Sequence, residues 1–197
     1  MHIWLVRHAE TEWSESGRHT GRTDVPLLPG ARVVAADLGE CLRSMVPDPV
    51  LVLTSPLSRA AETCALAGYE ARAEPCCDLV EWDYGDYEGL TTDEIRAERP
   101  GWTLWANGVP HGETAADVGR RADRVVERAR AAGGDVLLFS HGHLLRVLAA
   151  RWVGLPPIGG RLLGLRAGAV SALGWERETP VVLRWDVLVE RLRECDG

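Results

Sequence analysis

The stretch LVRHAET, residues 5–11, decides how the rest of the chain is read. It closes an apolar run, HIWLV, that stops abruptly at Arg7-His8. A strand with such an end either finishes in water or carries two cationic side chains to a site that uses them. Two further runs have the same build, LVLTS at 51–55 and DVLLFS at 135–140. Apolar runs of this length suit strands buried on both faces of a parallel sheet.

Helical patterns lie between the runs. From Pro29 to Met45 the apolar positions Val34, Leu38, Cys41, Leu42 and Met45 share one face. In SPLSRAAETCALAG (55–68), Ser55 fits an N-cap, Pro56 the first helical position and Gly68 the stop. TTDE at 91–94 has the capping-box pattern. Ala115, Val118, Ala122, Val125, Val126 and Ala129 mark a helix across 114–132, and another should run from about Gly142 to Val153. GAVSALGW and PVVLRW read as two strands joined by ERET. The closing LVERLRECDG (188–197) reads equally as a short helix or a frayed end. This alternation predicts an α/β protein, a three-layer α/β/α sandwich with a mainly parallel central sheet, as one domain over 1–197.

Composition narrows the function classes. The chain has 197 residues, 46% hydrophobic and 26% charged, enough for a sizeable core. No apolar run approaches the roughly 18 residues of a membrane span, and no basic-then-apolar leader opens the chain, so a cytoplasmic protein is expected. All 22 basic residues are arginine, which excludes Schiff-base lysines and the lysine of a P-loop. The net charge of −7 argues against nonspecific nucleic-acid binding, so an anionic ligand needs a local cluster. The five cysteines form no C-x-x-C pair and read as reduced thiols.

In open α/β sheets, ligands bind beyond the carboxyl ends of the strands. The first run delivers Arg7 and His8 there. The second delivers Thr54-Ser55-Pro56, with Arg59 a turn later, and the third delivers Ser140-His141-Gly142. Any one of these residues alone is most simply structural. Two arginines and two histidines converging on one edge point to an anion site. Guanidinium forks match phosphate oxygens, a helix opening at Gly142 offers backbone N–H groups, and a neutral imidazole is a nucleophile. A phosphate ester also needs a proton for its leaving oxygen. LVEWDYGDYEGL (79–90) supplies Glu81, Asp83, Asp86 and Glu88, and spacing does not choose among them.

LVRHAETEW, GRHTGRTDVPL, TSPLSRAAET, EWDYGDYEGL, HGET and FSHGH occur in that order between residue 3 and about 155. Together they resemble the histidine phosphatase superfamily, with its phosphoglycerate-mutase-like fold, and most of all its acid phosphatases and sugar-bisphosphatases. The resemblance implies that His8 becomes phosphohistidine, that Arg7, Arg59 and His141 hold the phosphoryl oxygens, and that Glu81 is the proton donor. It places Ser14, Thr20, Gly21 and Tyr84 on the pocket and implies no cofactor or metal. A lid from residues 19–23 and 82–113 would set specificity through His19, Arg22, Trp82, Tyr84, Trp102, Trp105 and His111. For Trp102 and Trp105, a packed subcore and a pocket wall are equally good readings.

Three departures stand out. Ala9 replaces the usual glycine after Arg-His, Ser14 stands where mutases carry asparagine, and Trp82 follows the acid where they carry arginine. The basic insertion with which those mutases grip a second phosphate is short here, Leu90 to Pro110, with only Arg96 and Arg99 on a predicted helix facing water. The expected activity is hydrolysis of a small-molecule phosphate monoester, with mutase transfer and non-catalytic phospholigand binding as the alternatives. His141-Gly-His143 lacks the carboxylate partners and spacing of a metal site. No nucleic acid or membrane partner is expected, and a homodimer stays open.

Overall fold

The structure, a computed structural model, describes residues 1–189; the tail reading from residue 190 onward lies outside the described residues. The three apolar runs form β1 (Ile3–Arg7), β2 (Leu51–Thr54) and β4 (Val136–Ser140). With the short β3 (Ala73–Pro75), β5 (Val170–Glu176) and β6 (Thr179–Val187), they make one six-stranded sheet of order β3-β2-β4-β1-β5-β6. The first four in that order are parallel, and β5 and β6 add antiparallel at the β1 edge.

Alternation along the central strands builds two cores. Ile3 and Leu5 of β1 and Leu138 of β4 point to one face, against α6 (Ala115–Ala131) and α7 (Gly142–Trp152). Trp4 and Val6, with Leu137 and Phe139, point to the other, against α2 (Pro29–Met45) and α3 (Ser58–Leu66). Full burial of each such side chain contributes about 1.5–3 kcal/mol. The layers are therefore α/β/α. The chain between β3 and α6 carries the short helices α4 (Thr92–Glu98) and α5 (Leu104–Asn107), and α1 (Glu12–Glu15) follows β1.

Two local expectations fail. Val34 is exposed, and α2 instead buries Ala31, Ala35, Leu38, Cys41 and Leu42, a face rotated toward its small residues. Ser55 is not the N-cap of α3, which starts at Ser58 after Leu57 without a side-chain cap. Its hydroxyl is used elsewhere.

Candidate active site

β1 and β4 are neighbours, so their ends bring residues 7–8 and 140–142 together. The His8 backbone N–H donates to the Ser140 carbonyl at 2.9 Å. The His8 ring is buried, and its Nδ1 lies 2.7 Å from the Ala9 carbonyl oxygen. A carbonyl only accepts, so Nδ1 carries the proton and Nε2 keeps its lone pair. Burial, reinforced by the Arg7 and Arg59 charges, pushes the His8 pKa well below its ordinary value, so the ring is neutral. Ala9 itself packs with Leu27, Ala31 and Ala35, and its N–H donates to the Thr63 hydroxyl at 3.1 Å. The methyl group in place of the usual glycine thus fills a small apolar cluster.

Arg7, Arg59 and His141 surround that ring. His141 lies 5.2 Å from His8 between ring centroids, and its Nε2 meets the Ser55 hydroxyl at 2.8 Å. This is where the Ser55 side chain is used. Burial and the nearby Arg59 also depress the His141 pKa. Arg59 is fully buried and donates to the carbonyls of Thr20 (3.1 Å), Gly21 (2.8 Å) and Thr23 (2.9 Å), while Arg7 donates to Leu165. Arg7 Nε and Arg59 Nε are buried donors without an acceptor, and the buried His141 Nδ1 has no hydrogen-bond partner, among the described residues. Buried donors without acceptors are unfavourable, and an anion beside His8 offers acceptors to this group.

Glu81 is buried next to them and caps α7. Its Oε1 accepts from Trp82 N and Leu144 N, both at 2.9 Å, and its Oε2 accepts from His143 N at 3.0 Å. The expectation that the α7 N-terminus is free for a ligand therefore needs correcting, because the protein's own carboxylate takes two of its donors. Gly142 serves otherwise. A Cβ there would lie 3.2 Å from Arg7 Cζ, so glycine lets the guanidinium pass.

A family model for the histidine phosphatase superfamily, branch 1, matches residues 3–188. The chain belongs to the histidine phosphatase superfamily. It is 42% identical over 176 residues to an acid phosphatase of Mycobacterium tuberculosis, covering 88% of this chain and 86% of that one. It is 37% identical over 182 residues to the sedoheptulose 1,7-bisphosphatase of Saccharomyces cerevisiae, covering 77% and 67%. The solved structure of a Mycobacterium tuberculosis open reading frame product superposes with a TM-score of 0.91 at 38% identity, over 95% of this chain and 98% of that one.

In this histidine phosphatase a cavity of about 380 Å³ opens over the site. Arg7, His8, Glu81 and Gly142 line it, and so do Ser14, Thr20 and Tyr84. The Ser14 hydroxyl is already engaged, accepting from Thr11 N and donating to Thr11 O in the cap of α1. Three residues expected on the pocket lie elsewhere. Trp82 is fully buried in the core beside it, its indole N–H donating to Glu113 O at 2.8 Å. Arg22 points to solvent and pairs with Asp83 at 2.7 Å. Gly21 sits in a tight turn whose N–H donates to Glu88 at 2.7 Å. Trp102 and Trp105 fit both of their readings, since each lines the cavity while packing edge-on against another lid aromatic. His111 is exposed and pairs with Asp86.

Other histidine phosphatase residues escaped the sequence reading. Arg121 grips both oxygens of Glu113 and donates to the carbonyls of Asp78 and Val80, fixing the segment that delivers Glu81. His143 meets the Tyr84 hydroxyl at 2.7 Å and lines the cavity. Arg146, one turn further along α7, lines it as well. The HGET segment and the helical spacing of His143 and Arg146 carried this information, but without contacts neither had a partner to point to.

Proposed function

We propose that this protein hydrolyses small-molecule phosphate monoesters, sugar phosphates above all, through a phosphohistidine formed on His8. The observation that carries the reading is the His8 tautomer: with Nδ1–H held by the Ala9 carbonyl, Nε2 keeps its lone pair in a ring that lines the same cavity as Glu81. The names of the relatives, an acid phosphatase and a sugar bisphosphatase, support the substrate class.

The reaction then has two steps. His8 Nε2 attacks phosphorus in line, a P–N bond forms, the ester P–O bond breaks, and Glu81 gives its proton to the leaving oxygen. Arg7, Arg59 and His141 supply donors for the phosphoryl oxygens, where charge must be held during transfer. In the second step Glu81 takes a proton from water as that oxygen attacks phosphorus. The P–N bond breaks, releasing phosphate, and both His8 and the protonated Glu81 are restored. The positive charge for transfer comes from arginine. No helix among the described residues is long and apolar enough to cross a membrane, and reduced cysteines in a cytoplasmic setting complete the reading.

The test is phosphate release across sugar phosphates, nucleotides and phosphoglycerates, with His8→Ala assayed alongside. Release by the parent and its loss in the variant are expected. Phosphoryl transfer between glycerate positions without release would identify a mutase. Equal rates in parent and variant would remove His8 from its role.

A further inference from the structure

The peptide between Leu165 and Arg166 joins the reacting end of the cavity to the edge strand β6. Its carbonyl accepts from Arg7 Nη1, and its N–H donates to Asp186 Oδ1 at 2.7 Å. A trans peptide is planar, with C=O and N–H pointing opposite ways from one rigid plate. Fixing the N–H therefore aims the carbonyl, and Asp186 fixes it.

Several bonds hold Asp186 to this task. Its carboxylate also accepts from Arg166 Nε at 2.7 Å, and its own carbonyl accepts from Arg166 Nη2 at 2.7 Å. Its N–H donates at 3.0 Å to the hydroxyl of Ser171, which is fully buried in β5. Asp186 has φ +56°, in the left-handed region, where the β5–β6 register shifts between Val170 and Ala172. Such a conformation persists where the surroundings enforce it, and here Ser171 and Arg166 do so from two sides. Next to it, Trp185 Nε1 donates to the Gly164 carbonyl. The Arg166 side chain is exposed, and an exposed ion pair contributes little to stability. Positioning is the role this geometry fits.

Arg7 has need of an anchor. Its Nη1 is held by Leu165, while its Nε has no acceptor among the described residues. Burial lowers the Arg7 pKa, and the charges of Glu81, Tyr84 and Asp186 oppose that shift. Backbone bonds from Gly168 N to His8 O (2.9 Å) and from Arg7 N to Ala169 O (3.1 Å) also tie this segment to β1. They lie beyond the 165–166 peptide and do not set its tilt.

We propose that Asp186, seconded by Arg166, is a positioning residue for Arg7: through the peptide between Leu165 and Arg166 it sets the guanidinium that grips the phosphoryl group beside His8. This rests on the reading of that end as the site of phosphoryl transfer.

A double-mutant cycle tests it. Asp186→Gly removes the carboxylate, and glycine accepts the left-handed backbone. Its effect on kcat/KM for p-nitrophenyl phosphate is read in the parent and in an Arg7→Ala background. In the parent the loss should be about 10-fold or more. With Arg7 already removed it should be under about twofold, because the carbonyl then has no guanidinium to hold. Asp186→Asn keeps an acceptor for the Arg166 N–H and should stay within about threefold of the parent. Asp123→Asn, in the pair with Arg151 between α6 and α7, should leave kcat/KM unchanged. An equal loss in both backgrounds would mark a merely structural role and overturn the proposal, as would no loss in the parent. The same cycle on affinity for inorganic phosphate, read by titration calorimetry, needs no turnover. A parent that hydrolyses no ester therefore fails the functional reading alone: non-additive phosphate affinities would still support the positioning of Arg7, and additive ones would overturn it.

Discussion

Glu81→Gln separates the two jobs that the structure gives this residue. Its side-chain oxygens accept three backbone N–H bonds, two of them from the first turn of α7. An amide oxygen in the Oε1 position can keep Trp82 N and Leu144 N. The amide nitrogen then faces His143 N at about 3.0 Å, donor against donor. Setting a buried donor against a donor costs about 1–3 kcal/mol, which lowers the Tm of a chain this size by roughly 2–12 °C. Glu81→Ala leaves the same donors beside a cavity that admits water, so its Tm should fall less. Thermal melts of all three proteins at pH 7 read this order. In kinetics, Glu81→Gln should lose about 10²–10⁴-fold on a sugar phosphate, and much less on p-nitrophenyl phosphate, whose leaving group needs no proton. A Gln variant that melts within about 1 °C of the parent would refute the capping argument. An equal loss on both substrates would refute the proton-donor argument.

Two other outcomes follow from the same geometry. Burial and two arginines depress the His8 pKa, so the neutral nucleophile persists as pH falls through the ordinary imidazole value of 6.5. The acid limb of kcat/KM, corrected for the substrate's own ionisation near pH ~6, should lie below 6.5, and a limb at or above it contradicts the assignment. The folded pKa values of His8, His141 and His143 are all depressed. The unfolded chain therefore binds more protons below about pH 6.5, and denaturant melts should show stability declining from there as pH falls. Gly142→Ala sets a Cβ 3.2–3.4 Å from the Arg7 guanidinium. A shift of a few tenths of an ångström in that grip should lower kcat/KM about 10-fold, with a Tm change under about 2 °C in the same melts.

The elements legible in the sequence are those whose burial is complete. β1, β2 and β4 lie between two helical layers, so nearly every residue is apolar; the capping box at Thr91 and the helix opening after Thr114 sit where the pattern put them. β3 has three residues at the sheet edge, mostly exposed, and leaves no periodicity to read. Val34 misled because α2 packs through alanines, whose small side chains carry a weak apolar pattern. Ser55 misled because a hydroxyl before Pro56 fits an N-cap, and only the fold sets it beside His141. Strand ends brought His8, Arg7 and His141 into view, and resemblance singled out Glu81. Arg96, read as a helix residue facing water, is exposed on α4 as expected, and only the fold shows that it also borders the cavity.

The most direct test of the central claim is a rapid-quench turnover followed by mass-spectrometric mapping of phosphorylated residues. The account predicts a phosphoryl group on His8 alone, attached through Nε2 because Nδ1–H is held by Ala9. Turnover with phosphate on a different residue, on His8 Nδ1, or on no residue at any time would contradict it.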